Sequence, residues 1–119
     1  MRKVTKVITD AFFARRPRKC GNTRTDGTTV WLFDNPIAKW DGDTLLITLA
    51  EWDTATTRER LNGIGRRAAR WGLFSVFRDR GVTMIALKRD DLSWRDAVVE
   101  MPHGEWINPH TFVGQFADK

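Results

Sequence analysis

The 119-residue sequence lacks the features that mark a secreted, disulfide-bonded or membrane-spanning protein. Cys20 is the only cysteine, so no intrachain disulfide can form, which fits a reducing cytoplasm. No apolar run approaches the roughly 18 residues of a membrane span. The apolar stretch after Lys3 is interrupted by Lys6 and Asp10, which argues against a secretory signal. We therefore expect a cytoplasmic protein.

Residues that commonly carry catalysis or hold a metal are also scarce. The two histidines, His103 and His110, do not have the ligand spacing of a zinc site. We interpret them as loop residues, although His103 beside Glu105 leaves a general base conceivable. The sequence contains neither a phosphate-binding glycine loop nor a nucleophile elbow. The acidic residues at positions 41, 43, 51 and 53 leave a divalent-cation site conceivable, but acids in turns are common because of local hydrogen bonding. We predict a protein that is not an enzyme and that needs no cofactor or metal.

What the sequence does have is charge in four alternating blocks. Residues 1–25 sum to +7, residues 26–56 to −5, residues 57–80 to +5 and residues 81–119 to −2. The total is only +5, yet it contains two concentrated positive patches. Such patches attract polyanions or acidic protein surfaces.

The hydrophobic fraction of 41% predicts a folded protein, and no linker or repeat divides it, so we expect one domain over residues 1–119. The predicted class is α+β. An antiparallel β-meander is packed by an N-terminal helix and a central Arg-rich helix, and a second β-hairpin and short C-terminal helices follow. The first helix covers residues 3–15 and ends before Pro17. The basic residues that follow it form a short segment outside the helix.

Asp-Gly dipeptides indicate the hairpins of the meander. Asp26-Gly27 and Asp41-Gly42 each separate β-prone runs, and Asn35-Pro36 predicts a further turn between the two hairpins. The four predicted strands are residues 23–25, 28–33, 36–40 and 43–50. The apolar run at residues 30–33 suits a central strand that is covered on both sides, with Trp31 in the core.

The second helix is predicted to begin with a capping box made by Thr56 and Glu59. Leu61, Ile64, Ala68 and Trp71 form its apolar stripe, with Gly72 as the C-cap and a break possible near residues 62–63. Four arginines project from the opposite side as a basic ridge: Arg60, Arg66, Arg67 and Arg70.

The C-terminal half is predicted to contain a hairpin, a short helix, a loop and a last helix. The hairpin joins residues 73–78 to residues 82–88. A short helix capped by Ser93 runs through residue 100, residues 101–108 form a loop, and Asn108-Pro109 opens the last helix.

The candidate binding residues are the two basic patches and two tryptophans outside the predicted core. Arginine suits phosphate because its guanidinium is a planar fork of donors. Exposed tryptophan stacks on unpaired bases or anchors a protein interface, whereas a rim tryptophan only covers the edge of a core. The candidates are Arg15, Arg16, Arg18, Lys19, Arg60, Arg66, Arg67, Arg70, Trp40 and Trp52.

Residues 21–27, 31–33, 35–38, 41–42 and 56–63 resemble a set of small, largely uncharacterised proteins encoded by phages and prophages. The shared pattern reads Asn-Thr-Arg-x-Asp-Gly and, later, Thr-Thr-Arg-Glu-Arg-Leu-Asn-Gly, within residues 4–63. The resemblance implies a mobile-element setting, hence the cytoplasm of a host cell, but it does not supply an active site. Beyond residue 65 we expect the chain to depart from these proteins.

Two functions fit these observations. The first is a phage accessory protein that binds nucleic acid through the two arginine patches. The second is a phage-encoded inhibitor of a host protein or nucleoprotein defence complex, of the anti-CRISPR or anti-restriction type, with the same patches meeting the host surface. Neither function involves a membrane, and the sequence leaves the oligomeric state open.

Overall fold

The computed structural model describes residues 2–68, 73–88 and 97–117. The helices in these ranges are α1 (Lys3–Phe13), α2 (Ala55–Arg67) and α3 (Pro109–Ala117). The strands are β1 (Arg18–Cys20), β2 (Thr23–Thr25), β3 (Thr29–Leu32), β4 (Asn35–Asp41), β5 (Thr44–Ile47), β6 (Leu73–Asp79), β7 (Val82–Lys88) and β8 (Val98–Glu100). This mixture of helices and antiparallel strands confirms the α+β class. No helix in the described ranges is long and apolar enough to cross a membrane.

The first sheet is an antiparallel meander in the order β1-β2-β3-β4-β5. It has one strand more than predicted, because the basic segment after α1 contributes β1 at the edge of the sheet. The predicted turn at Asn35-Pro36 is wrong: both residues lie in β4, and the chain turns at Phe33-Asp34 instead, with Phe33 at a φ of 54°. The register shifts between Val30 and Trp31 where β3 meets β4.

The two faces of this sheet differ. Val30, Leu32, Ile47 and the other residues that point towards α1 and α2 are buried, and α1 packs on β1 and β2. Trp31 points the other way, is only half-buried and does not belong to the core, contrary to the prediction. Central strand β3 is therefore covered by helices on one face only.

Helix α2 packs closely against two neighbours, and its two glycines permit this. A Cβ on Gly63 would overlap the Thr5 side chain of α1, and a Cβ on Gly65 would overlap the carbonyl oxygen of Phe74 in β6. The helix is continuous through both glycines. Leu61, Ile64 and Ala68 are buried, as predicted for the apolar stripe, whereas Trp71 and Gly72 lie outside the described residues.

The second sheet has the order β6-β7-β8. The predicted hairpin is confirmed, with its turn at Arg80-Gly81. The predicted helix ending at residue 100 is wrong at its C-terminal end, where Val98–Glu100 is strand β8 paired with β7; its start at Ser93 lies outside the described residues. Helix α3 begins at Pro109 as predicted, and the Asn108 side chain accepts hydrogen bonds from the next helical N–H groups.

The start of α2 differs from the predicted capping box. The helix begins at Ala55, and the N-cap is Thr54, whose Oγ1 accepts a hydrogen bond of 3.1 Å from the Thr57 N–H. Thr56 already lies inside the first turn, and Glu59 contacts α1 instead of capping its own helix. Glu59 thus binds Thr5 of α1 in place of the capping box with Thr56 that the spacing predicts.

This cap yields a test with a matched control. Thr54→Ala removes the N-cap acceptor and should lower the free energy of unfolding by about 1 kcal/mol. Thr56→Ala, two residues away and inside the helix, should change it by less than about 0.5 kcal/mol. Urea unfolding of both variants measures the difference. A larger loss of stability in Thr56→Ala than in Thr54→Ala would show that Thr56 caps the helix, as the sequence predicted.

Candidate functional site

The prediction that Arg60 faces solvent is wrong. Its side chain is only 3% exposed, because it lies between α2, α1 and the β1–β2 hairpin. Its guanidinium donates to Thr23 Oγ1 at 3.0 Å, Thr5 Oγ1 at 3.0 Å and Asn22 Oδ1 at 3.2 Å. Arg60 is therefore a structural cation that is out of reach of a phosphate on the surface.

Glu59 supplies the countercharge for Arg60. Its Oε2 accepts a hydrogen bond of 3.0 Å from Arg60, and its carboxylate also accepts the hydroxyl of Thr5. Burial opposes ionisation of Glu59, but the hydrogen bonds from Thr5 and Arg60 outweigh burial and hold the pKa of this carboxyl below its ordinary value. Glu59 is thus ionised and bound to internal partners.

Trp40 is also buried, so the prediction that it is an exposed contact is wrong. Its ring stacks on Phe12 with centroids 4.9 Å apart, and its Nε1–H donates to the Phe12 carbonyl oxygen at 3.0 Å. The Arg15 guanidinium lies 4.4 Å from the centroid of the Trp40 ring and donates to the Gly42 carbonyl oxygen at 2.8 Å. Trp40 therefore positions Arg15 and belongs to the core.

The two basic blocks meet at the C-terminal ends of α1 and α2. Arg67 binds Asp10 of α1 at 2.8 Å, and its guanidinium lies 5.5 Å from the Phe13 ring. Phe13 in turn packs edge-on against Trp40, and the Arg15 guanidinium lies over the Trp40 ring. The hydrogen bond from Lys6 lowers the pKa of Asp10, and Arg67 adds to this effect despite opposing desolvation.

The remaining candidate residues of the first basic block, Arg16, Arg18 and Lys19, lie on two different surfaces, because side chains alternate between the two faces of a strand. Arg16 and Arg18 line a shallow groove of about 390 Å³ beside α1, and Asp10 lines the same groove. Lys19 points to the opposite face of the sheet, next to Arg24. The predicted patch is therefore split between two surfaces.

A second groove, which we call the arginine groove, runs along the exposed side of α2 and is bounded by β6. It has a volume of about 470 Å³. Its lining residues are Arg2, Ala55, Arg58, Glu59, Asn62, Arg66, Val76, Phe77 and Arg78. Of the predicted ridge, Arg66 lines this groove, Arg67 faces α1, and Arg70 lies outside the described residues.

Charge in the arginine groove is only partly compensated. Arg58 and Arg78 share one carboxylate, Asp53, with Arg58 in direct contact and Arg78 at 3.7 Å. Desolvation opposes ionisation of Asp53, but hydrogen bonds from Thr83 and Arg58 outweigh it and lower the pKa. With buried Arg60 included, five arginines face the two carboxylates Asp53 and Glu59, a net charge of +3.

Trp52, the last predicted contact, is 56% exposed. It lines a small cleft together with Phe33, which is 61% exposed. Two large apolar side chains therefore face solvent at one end of the meander. Within the described ranges, no three His, Cys, Asp or Glu side chains are grouped to hold a metal ion.

Comparison with known proteins places the chain in a phage lineage. Residues 1–112 match the family described as Kyanoviridae Gp96 protein. The chain belongs to this phage protein family. The match to the Gp96 family runs well past residue 65, so it includes the Arg-rich end of α2 and the second sheet, where the chain was expected to depart from its relatives. No curated protein and no solved structure matches the chain.

The structure also brings together functional candidates that no sequence pattern singled out. Arg2 precedes α1, Arg58 lies in α2 and Arg78 lies in β6, and only the tertiary structure brings them to one groove. A signal for the burial of Arg60 was present, because glycines at positions 63 and 65 of a helix indicate close packing on more than one side. Thr57 and Gly63, small residues on the same side of the helix as Arg60, mark that second buried face.

The pKa of Glu59 leads to a prediction about acid stability. A carboxyl whose pKa is lower in the folded state than in the unfolded state stabilises the fold above its unfolded pKa. This contribution is lost as the pH falls from about 4.5, the ordinary value for Glu, through the folded pKa. Glu59→Gln should therefore unfold more easily at pH 7 and lose less stability than the wild type between pH 5 and pH 3.

Urea unfolding at pH 7, 5, 4 and 3 measures this difference. Thr5→Val, which removes a hydroxyl partner of Glu59, should reduce the pH dependence in the same direction. An acid-induced loss of stability as steep in Glu59→Gln as in the wild type would show that Glu59 does not couple to folding.

Proposed function

We propose that this phage protein is a non-enzymatic accessory protein that binds the phosphate backbone of nucleic acid in the arginine groove, in the cytoplasm of the host cell. The observation that carries the proposal is one groove lined by four arginines, Arg2 before α1, Arg58 and Arg66 of α2 and Arg78 of β6, which exceed the carboxylates Asp53 and Glu59 by two charges even without the buried Arg60. Phosphate contacts of this kind position a protein on nucleic acid without reading its sequence.

The dimensions of the groove suit a polynucleotide strand. Arg58 and Arg66 are two turns of α2 apart, about 12 Å along the helix axis. Successive phosphates of one duplex strand advance by about 3.4 Å along its axis, so this length corresponds to three or four phosphates. Carboxylates that hold a guanidinium in place leave its other N–H groups free to bind phosphate oxygens.

A continuation of the arginine groove supports a longer contact. Arg66 lines the arginine groove, and its neighbour Arg67 binds Asp10, which lines the groove of Arg16 and Arg18. The Arg67–Asp10 ion pair thus connects the end of α2 to the second groove, and we propose that a bound backbone continues from Arg66 to Arg16 and Arg18. Within the described residues, Arg16, Arg18 and Arg66 form no ion pair of their own.

The proposal predicts a specific change in salt dependence. Arg66→Gln removes one phosphate contact, so the slope of log K against log salt should become shallower by about 1. Lys88→Gln is the matched control, because Lys88 is exposed at the other end of the β6–β7 hairpin from its turn and lies outside both grooves. Fluorescence anisotropy with a labelled duplex at several salt concentrations measures both slopes.

Two results would overturn the proposal. The first is the absence of binding to any oligonucleotide, single-stranded or double-stranded, at low salt. The second is an equal slope for Arg66→Gln and the wild type, since the arginine groove would then make no phosphate contact.

Inhibition of a host protein is a second candidate function, and one observation favours it. Phe33 and Trp52 are more than half exposed and line the same cleft, and large aromatic residues at protein interfaces often contribute most of the affinity. In this candidate function, the cleft contacts a protein of the host defence.

This second function predicts a partner that survives nuclease treatment. Wild-type protein should retain one stoichiometric host protein from a nuclease-treated lysate, and Trp52→Ala should reduce retention at least tenfold. Thr44→Ala, an exposed site on β5 outside the cleft, is the control. Equal retention by Trp52→Ala and the wild type would contradict a role for the cleft.

A further inference from the structure

We infer that the outer face of the five-stranded sheet, the face turned away from α1 and α2, is a separate site that binds the bases of an unpaired nucleic-acid strand. This inference goes beyond the proposed function, because the residues, the surface and the part of the ligand that is contacted all differ from those of the arginine groove.

The outer face carries a row of cations and aromatic rings. Lys19, Arg24 and Trp31 lie directly opposite one another on β1, β2 and β3. The Arg24 guanidinium lies over the Trp31 ring, 4.2 Å from its centroid. On the neighbouring strands, Lys39 of β4 lies opposite Leu46 of β5.

The sheet is extended on this face by the chain before α3. Ile107 pairs with Ile47 through two backbone hydrogen bonds of 2.8 Å and 2.9 Å, and both side chains are buried. Trp106 therefore points to the outer face, where the Lys39 ammonium lies 4.3 Å from the centroid of its ring. The face thus has two tryptophans, each paired with a cation.

The composition of this face is unusual for a sheet surface that meets water. The solvent side of a half-buried antiparallel sheet is normally polar. Here Trp31, Leu46 and Trp106 are half-buried, and α1 packs on the opposite face, against the side that carries Thr23 and Thr25. Aromatic and aliphatic surface beside cations indicates a ligand that is both flat and anionic.

An unpaired nucleic-acid strand has this combination. Its bases stack on tryptophan rings or on guanidinium planes, and its phosphates pair with cations. Three cations, Lys19, Arg24 and Lys39, lie on the face, and the exposed carboxylate of Asp34 lies 4.0 Å from Arg24. In a duplex the faces of the bases are already stacked on one another, so a flat platform selects the single strand.

The spacing of the two tryptophans sets the length of the bound segment. Trp31 on β3 and Trp106 are separated by three strand spacings, about 14 Å. This distance corresponds to about four stacked nucleotides at about 3.4 Å each. A test strand of about 15 nucleotides is longer than this segment and lies within the range bound by small single-strand binding domains.

The test uses anisotropy with labelled oligothymidine and oligouridine of about 15 nucleotides and with a duplex of equal length. Trp31→Leu and Trp106→Leu should each weaken single-strand binding by about tenfold and change duplex binding by less than about twofold. Val82→Ala, at an exposed apolar residue on β7 outside this face and outside both grooves, is the control. Dependence on Trp31 with either oligonucleotide supports the site, and the preferred one tells whether its ligand is DNA or RNA.

Charge variants test the site without removing a ring. Lys19→Glu and Lys39→Glu should weaken single-strand binding, whereas Lys88→Glu should not. Thermal unfolding of every variant separates a loss of binding from a loss of fold. Wild-type affinity for both single strands in the folded Trp31→Leu, Trp106→Leu, Lys19→Glu and Lys39→Glu variants would overturn the inference.

The same experiments distinguish failure of this inference from failure of the proposed function. Arg66→Gln acts in the arginine groove and should weaken duplex binding, while the tryptophan variants should not. Unchanged duplex binding in Arg66→Gln overturns the arginine groove alone, and unchanged single-strand binding in the tryptophan variants overturns the sheet site alone.

Discussion

The buried guanidinium of Arg60 is the interaction on which the arrangement of the helices depends. A buried cation is costly unless it is paired and its N–H groups are satisfied, and loss of one partner leaves an uncompensated charge. Arg60 meets this requirement with partners from α1, the β1–β2 hairpin and its own helix, namely Thr5, Thr23, Asn22 and Glu59. Every buried side-chain polar atom in the described part of the chain has a partner. The network therefore fixes where α1 lies relative to α2.

The candidate binding surfaces follow from this arrangement. Gly63 and Gly65 let α2 approach α1 and β6 closely, so only one side of α2 stays open to solvent. Asn62, where α2 meets β6 at the border of that side, pairs with both the N–H and the carbonyl of Val76, which satisfies backbone groups on the outer edge of β6. The arginines beside Asn62 are then the groups left facing water. The arginine groove is thus the remaining open surface of a tightly packed helix.

Local signals in the sequence predicted those parts of the fold that depend on local chemistry. The turns at Asp26-Gly27 and Asp41-Gly42, the β6–β7 hairpin and the start of α3 at Pro109 all follow from residues within a few positions of each other. The errors share a different cause. Arg60 and Trp40 were expected at the surface and are buried, because their partners are 28 to 55 residues away in the chain. The spacing of Thr56 and Glu59 likewise favours a local cap, but Glu59 binds a partner 54 residues away.

The acidic residues explain why alternating charge blocks are compatible with a basic binding surface. Asp10, Asp53 and Glu59 each contact an arginine or lysine at a groove, so they hold the long cationic side chains in place. A side chain that is already ordered loses less entropy when it binds a ligand. Lys19 and Arg24 lie on the outer face of the sheet, where an aromatic ring takes the place of the carboxylate: the Trp31 ring orders Arg24. Carboxylates order Arg58, Arg67 and Arg78 at the grooves, and an aromatic ring orders Arg24 on the sheet, which is why we propose phosphates as the ligand of the grooves and bases as the ligand of the sheet.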